Sequence, residues 1–347
     1  MNQKLEFTST CPVKTQHSEK ILLGHGSGGK LTSQLIENVF LPSFGTSSDI
    51  LHDGAFLKIG NSELAFTTDS YVVQPLFFPG GNIGDLAING TVNDLAMCGA
   101  RPLYLSCGFI IEEGFPVEDL IHITQSMKTS VESVGVQLVT GDTKVVEKGK
   151  GDGLYINTSG IGMIEKERIS PLSIQPGDVV IVNGDIGCHG TAIMSVRENL
   201  EFESTIQSDT QELYSLVHSL LQENIPIHCL RDPTRGGLAT ALVEIAEARK
   251  VGIEIDEDKI PINPVVKGAC EFLGLDPLYV ACEGRMIAFV EQSYAARTIE
   301  IMQSFGNEPR VIGVVNEQHP SLVTAKTFIG TKRILDRLTG DQLPRIC

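Results

Sequence analysis

The 347-residue sequence has no run of about 18 apolar residues, so no membrane-spanning helix is expected. Its first twenty residues, MNQKLEFTSTCPVKTQHSEK, lack the apolar core of a secretory leader, and a cytoplasmic protein is expected. None of its eight cysteines stands in a C-x-x-C pair. Scattered through a chain of this length, they favour neither a disulfide framework nor a structural zinc site. Most sit in apolar strings, as Cys98 does in LAMCGA and Cys107 in YLSCGFII, and read as small buried hydrophobes. Basic residues are scarce: 27 Lys and Arg stand against 43 Asp and Glu, a net charge of −16. That field repels a phosphate backbone, so no nucleic-acid partner is expected. A nucleotide would need backbone N–H groups and a divalent cation to bind here. There is no short repeat and no low-complexity segment.

What is present describes an ordinary globular chain, 41% apolar and 20% charged, and long enough for two cores. Residues 1–20 read as a polar extension. From about 62, apolar strings alternate with helical patterns. SELAFTT, PLYLSCGFII, VQLVTG and LYINTSGIGMI read as strands; IGDLAINGTVNDLAMCGA and VEDLIHITQSMKTSVESV read as helices. The Pro/Gly turn SIQPGD, residues 173–178, divides the chain. After it come the strand VVIVNG, a helix from about His189, the helices TQELYSLVHSLLQ and GGLATALVEIAEA, and the strands YVACEG…MIAFV and RVIGVV. The expectation is two mixed α/β (α+β) domains, over 21–170 and 175–328, each a sheet with helices packed on it. Residues 329–347 read as a flexible tail ending in Cys347. Taken alone, that cysteine is a frayed end with an inert thiol.

GHGSGGK, residues 24–30, overlaps two phosphate-binding patterns and satisfies neither. Gly24, Gly26 and Gly29 have the spacing of a dinucleotide fingerprint, with Asp49 further on; Gly24, Gly29 and Lys30 approach a P-loop. The strand before the loop is short, and Leu31 stands where a P-loop needs Ser or Thr. The underlying physics remains. Gly26, Ser27, Gly28, Gly29 and Lys30 could turn successive N–H groups toward one anion, at the start of a helix KLTSQLIENVF. A flexible surface loop is the plainer alternative.

Carboxylates give a stronger signal. Asp53 (HDGA), Asp69 (TTDS), Asp94 (NDLA) and Asp142 (GDTK) fall at strand and helix ends, where ligands bind. With nucleotide phosphates, these hard oxygen ligands suit magnesium. Asp85, Asn89 and Asn93 repeat every four residues along an otherwise apolar helix. Such a stripe suits a ligand face, or else a buried network. In RDPTRGGLAT, Thr234 could cap a helix flanked by Arg231 and Arg235, either a second anion-friendly end or simply a well-capped helix. ACEGR places Glu283 and Arg285 at a break in a strand pattern.

Together HGSGGK, DGA, TTDSYVV, NDLAMCGA, GDTKVV, NGDIGCHGTAI, DPTRGGL and the terminal PRIC resemble the hydrogenase maturation factor HypE. That family belongs with aminoimidazole ribonucleotide synthetase (PurM), selenophosphate synthetase and thiamine-monophosphate kinase. The resemblance runs from about residue 20 to the end, and PRIC singles out the HypE branch.

The resemblance implies a two-domain PurM-like fold and a homodimer formed through the N-terminal sheets, with ATP between the domains. It also implies an ATP-dependent carbamoyl dehydratase. A HypF-like carbamoyltransferase would load a carbamoyl group on Cys347. The protein would then dehydrate the thiocarboxamide to a thiocyanate, and a HypC–HypD complex would take the cyanide ligand for [NiFe] hydrogenase. In that chemistry Asp53, Asp69, Asp94 and Asp142 would hold Mg2+. Gly26 to Lys30, Asp69, Asn93, Asp94, Asp142 and Thr143 would face ATP, and Lys144 would neutralise the transferred phosphoryl. Glu283 would take the amide proton, with His25 and His189 as alternatives. The terminal carboxylate should keep the Cys347 thiol from ionising, as suits an acceptor loaded by a partner. Nine residues from Thr339 to Cys347 reach up to about 30 Å extended, enough for a travelling arm. Two other readings remain: a relative acting on a free small molecule, or a non-catalytic nucleotide-binding scaffold.

Overall fold

The structure is a computed structural model and describes residues 20–44, 52–200, 206–340, 343 and 345–347. Cys11 and Asp49 lie outside these residues. The glycine loop opens as a 3₁₀ turn, Leu23–Gly26, followed by α1 (Lys30–Leu35), a π-turn at Ile36–Phe40 and α2 (Leu41–Phe44).

The first domain then lays down β1 (Ala55–Ile59), β2 (Ser62–Tyr71), a hairpin of β3 (Phe77–Phe78) and β4 (Gly81–Asn82), and α3 (Ile83–Met97). It continues with β5 (Ala100–Glu112), α4 (Val117–Val134), β6 (Gln137–Val146) and β7 (Leu154–Ile164). The sheet order is β1-β2-β7-β5-β6. Only β5 and β6 run parallel, because α4 carries the chain back across the sheet. Along β7, LYINTSGIGMI, buried residues alternate with more exposed ones, the mark of a sheet packed on one face. The packed face carries α3. The open face carries Phe66 and Tyr104, both exposed and each in register with Ile161.

The second domain holds β8 (Val179–Val182), α5 (Cys188–Arg197), α6 (Tyr214–Gln222), β9 (Ile227–Arg231), α7 (Gly237–Arg249) and β10 (Gly252–Asp256). It ends with α8 (Pro264–Leu273), β11 (Ile287–Val290), α9 (Ala295–Ser304), β12 (Arg310–Asn316), β13 (Val323–Lys326) and β14 (Lys332–Leu335). Its seven-stranded sheet has the order β14-β13-β10-β12-β8-β11-β9.

Three expectations change. The strand expected through YVACEG begins only at Ile287; residues before it form a 3₁₀ turn, Pro277–Tyr279, and a coil. The helix expected from Thr210 starts at Tyr214. The chain beyond 328 is not simply a free tail. β14 pairs antiparallel with β13, and Leu335 joins the core.

Helix α3 is the keystone. Asn82 caps it and exchanges bonds with Asp85 in a capping box. Its Ala96 and Met97 pack with Leu213, Leu216 and Met286 of the second domain, while Leu95 and Thr91 press on Gly160 of the first sheet. Buried from both sides, it has no room for Lys, Arg or Glu. Two members of the Asp85–Asn89–Asn93 stripe therefore have structural partners. Asp85 serves the cap, and Asn93 donates to the Gln211 and Glu283 carbonyls (3.0 and 3.2 Å) and accepts from the Leu213 N–H (2.7 Å). With its amide saturated, Asn93 is not free for the phosphate role expected of it.

Candidate active site

Three elements bring carboxylates to one point. Asp53 precedes β1, Asp94 lies on α3 and Asp232 follows β9; one ligand oxygen from each lies within 4.8 Å of the others. Thr67 Oγ1 on β2 is 2.6 Å from Asp94 Oδ2 and 2.9 Å from the Asp53 carbonyl. Arg231 Nε is 2.9 Å from Asp53 Oδ1, and its Nη2 is 2.7 Å from Glu244. Burial comes first in pushing all three carboxyls up, and the neighbouring carboxylates add to it. The cluster is not the expected Asp53, Asp69, Asp94 and Asp142 set: Asp232 completes it, and neither Asp69 nor Asp142 is part of it.

The buried ring of His52 sits beside it. Desolvation lowers its pKa to about 3, so the ring is neutral. Its Nε2 is 3.1 Å from the Ile169 carbonyl, which can only accept, so Nε2 carries the hydrogen. The bare Nδ1 then faces Asp53 Oδ2 at 3.7 Å, and neither atom has a hydrogen-bond partner among the described residues. A proton on Asp53 or a bound cation would satisfy that oxygen. Three converging carboxylates, one on a buried residue and two on half-buried ones, with an orphaned oxygen fit a hard divalent cation.

The chain end lies in the cleft between the domains. The Val72 N–H donates to a Cys347 carboxyl oxygen (3.0 Å), and the Gln74 N–H to the Arg345 carbonyl (3.3 Å). Residues 345–347 thus pair with 72–74 just beyond β2. Arg345 Nε donates to the Val72 carbonyl (3.0 Å) and its guanidinium pairs with Asp152, while Arg197 donates to the Arg345 carbonyl. Ile346 is buried, and Cys347 half-buried. The end expected to be free is docked.

Glu283 is 3% exposed, and its Oε1 has no hydrogen-bond partner among the described residues. Burial, then Asp232, Asp69 and Asp209, push its carboxyl well above the usual range. The same surroundings act on the Cys347 thiol. Burial raises its pKa most, Glu283 adds to this, and Arg235 opposes it. The thiol is held neutral as expected, but by desolvation rather than by its own carboxylate. Arg235 Nη2 is 4.0 Å from Asp69 Oδ1, which puts Asp69 at the sulfur end of the cleft.

A cavity of about 200 Å³ opens beside the chain end, lined among others by Gly26, Ser27, Gly29, Ser70, Arg235 and Cys347. Part of the glycine loop therefore faces the site, for reasons beyond anion binding. Gly28 has φ +80°, and a Cβ there would lie 2.8 Å from that of Arg235; one on Gly29 would lie 2.5 Å from the Leu338 carbonyl. At Gly28 and Gly29 the close approach of neighbouring backbone excludes a side chain, whereas nothing crowds Gly26. The N–H groups of His25, Gly28 and Lys30 are bonded to Leu22 O, Thr32 Oγ1 and Leu338 O. Lys30 Nζ is 2.6 Å from Asp336. Thus His25, Gly28 and Lys30 serve the loop and its anchorage here rather than an anion.

Asp142, Thr143 and Lys144 are not brought to the cleft. They lie exposed on β6, with Lys144 Nζ 2.7 and 2.6 Å from the two Asp142 oxygens. Thr234 contributes its carbonyl, not its hydroxyl, to the start of α7, whose cap is Gly236 at φ +77°. Sequence reading missed the roles of Asp232, His189 and Arg345. Asp232 was visible within RDPTRGG but overshadowed by its flanking arginines.

Residues 51–164 match the AIR synthase related protein, N-terminal domain, and residues 175–325 its C-terminal domain. The chain is 48% identical over 327 residues to the carbamoyl dehydratase HypE of Azotobacter vinelandii, covering 93% of this chain and 96% of that one. It is 43% identical to the carbamoyl dehydratase HypE of Escherichia coli K12, covering 94% and 99%. A HypE–HypF complex superposes with a TM-score of 0.83 at 49% identity, covering 88% of this chain and 99% of that one. HypE in complex with ATP superposes with a TM-score of 0.80 at 42% identity, covering 94% and 100%. A thiamine monophosphate kinase from Aquifex aeolicus, at 16% identity and a TM-score of 0.65, covering 88% of this chain and 99% of that one, shares the fold. With two PurM-like domains, a docked terminal cysteine and these relatives, the chain belongs to the carbamoyl dehydratase HypE family of hydrogenase maturation proteins.

Proposed function

We propose that the protein dehydrates a carbamoyl group carried on its own Cys347, at the expense of ATP, and supplies a cyanide ligand for [NiFe] hydrogenase. The observation that carries this is the docked tail. Cys347 lines one cavity with Arg235 and the glycine loop, and Glu283, Asp69 and Asp232 are close enough to act on its thiol.

The carbamoyl oxygen is a poor leaving group until it carries the terminal phosphoryl of ATP. Phosphate then departs with that oxygen, the nitrogen loses both protons, and a carbon–nitrogen triple bond remains on sulfur. Glu283 is placed to accept a nitrogen proton, and its raised pKa makes it a stronger base than an ordinary carboxylate. Arg235 offers positive charge where the phosphoryl oxygens gather. The 200 Å³ cavity is below the roughly 300 Å³ of a small-ligand pocket, so with the tail docked it suits the reacting end of the nucleotide only. Magnesium fits Asp53, Asp94 and Asp232, and when bound would neutralise the phosphates that this acidic chain repels.

Asp142 and Lys144 enter this scheme through a second copy, whereas Thr143, between them on β6, belongs to the opposite face of the sheet. In the ladders of the first sheet, Asp142 pairs with Gly108, Gly108 with Asn157, and Asn157 with Ser70, so these residues share the sheet's open face with Phe66 and Tyr104. A homodimer that covers this apolar face would carry Lys144 of one copy toward the other copy's cleft. A HypF-like carbamoyltransferase as donor and a HypC–HypD complex as acceptor complete the sequence of steps in the cytoplasm, with no nucleic acid and no membrane.

Cys347→Ala should abolish carbamoyl loading while leaving ATP affinity intact. Hydrogenase matured by that variant would contradict the proposal.

A further inference from the structure

His189 opens α5 and is fully buried between the hairpin at β3, the segment 208–210 and the chain end. The ring of Phe78 meets its imidazole edge-on at 5.4 Å, which fixes the ring plane. Its Nε2 lies 2.9 Å from the Ile346 carbonyl, and its Nδ1 lies 2.8 Å from Ser208 Oγ. A carbonyl only accepts, so Nε2 bears the hydrogen. Desolvation lowers the pKa of the ring and keeps it neutral, so Nδ1 is bare and accepts from the Ser208 hydroxyl. Ser208 Oγ in turn accepts the Thr210 N–H at 3.1 Å. Every hydrogen in this chain has one direction, and it ends on the tail.

The same segment reaches the base. Asp209 Oδ1 accepts the His189 N–H at 3.0 Å and the Glu283 N–H at 3.3 Å. One short stretch thus orients the imidazole and anchors the backbone of both His189 and Glu283. We infer that His189 is a positioning residue that sets the register of the tail: its Nε2–H holds the Ile346 carbonyl so that Cys347, one residue on, presents its sulfur to Glu283. A slip of one residue would move the sulfur by about 3.3 Å and turn it to the opposite side of the extended strand. His189 therefore acts through Cys347 and does not itself touch the reacting group, in contrast to its expected alternative role as a base.

The inference rests on the reading of Cys347 as carrier of the substrate, and the test separates the two. Full-length protein is prepared with His189→Gln, which keeps an N–H donor near Nε2, with His189→Leu, which removes it, and with Ser208→Ala, which frees the ring to change tautomer. Alkylation of Cys347 by iodoacetamide, read on the C-terminal peptide, requires neither ATP nor carbamoyl. His189→Leu and Ser208→Ala should raise its rate roughly three- to tenfold, the effect of one neutral hydrogen bond, and His189→Gln should restore it. Single-turnover dehydration of carbamoylated protein should fall by a similar factor in His189→Leu, with ATP affinity unchanged. Imidazole nitrogen shifts should show the Nε2–H tautomer in the unmodified protein.

Alkylation at the wild-type rate in folded His189→Leu overturns the inference, as does a His189→Gln no better than His189→Leu. Should His189→Leu fail to fold, an unchanged rate in Ser208→Ala overturns it instead. Dehydration at the full rate in His189→Leu sinks the latch and leaves Cys347 as carrier. Altered alkylation in a protein that never dehydrates keeps the latch and sinks the carrier.

Discussion

Arg231 Nε lies 2.9 Å from Asp53 Oδ1, and this guanidinium is the cation most closely paired with the acidic cluster among the described residues. Both side chains are largely buried. Removing one partner of a buried pair strands the other charge. Arg231→Met should cost about 3–5 kcal/mol in urea unfolding measured without divalent cation. Millimolar magnesium should return part of that loss by binding the folded state alone. A loss below 1 kcal/mol would mean that the cluster is balanced by something other than Arg231.

Stability should fall as pH rises in cation-free protein. The folded-state pKa values of Asp53, Asp94, Asp232 and Glu283 are all raised, chiefly by burial. Above the unfolded carboxyl values of about 4 the folded state holds more protons than the unfolded state, so each further rise in pH favours unfolding. The decline continues until pH passes the raised folded values. Melting temperature should therefore drop between about pH 4.5 and pH 7, and a divalent cation should flatten the slope. A melting temperature that rises across that window in the absence of cation would show the carboxylates already compensated.

Gly90 should resist replacement by alanine although it lies in mid-helix, where alanine ordinarily stabilises by up to about 1 kcal/mol. A Cβ there would run into the hydroxyl of fully buried Tyr71. Overpacking should make Gly90→Ala destabilising by about 1–3 kcal/mol in chemical denaturation. A stabilised variant would show that Tyr71 moves aside freely.

Much of this architecture was legible in the sequence. Period-two patterns marked β2, β5 and β7, and the 3.6 period marked α4, because each presents one face to a core and another to solvent. Helix α3 was recognised as a helix, but its polar stripe left a ligand face and a buried network both open. Burial between two domains removes surface charge as effectively as a ligand does, and a single chain pattern does not say which. The four- and five-residue strands β9, β10, β13 and β14 are too short for a period to emerge. Asp53 and Asp94 of the acidic cluster were singled out by their motifs, and Glu283 was named chiefly through the family resemblance. Asp232 was not singled out, and His189 was named only as an alternative base, since their roles arise from contacts across more than 130 residues of chain, Asp232 with Asp94 and His189 with Ile346.

The central claim is that the substrate rides on the last residue, and intact mass tests it most directly. Full-length protein is incubated with a HypF-like transferase and carbamoyl phosphate, then with ATP and magnesium. The mass should first rise by one carbamoyl group and then fall by one water, with both changes localised to Cys347. Glu283→Gln should stop at the first mass, slowed in the second step by about 10²–10⁴-fold. A carbamoyl group found elsewhere, or a water lost from a diffusible product while Cys347 stays unmodified, would contradict the account.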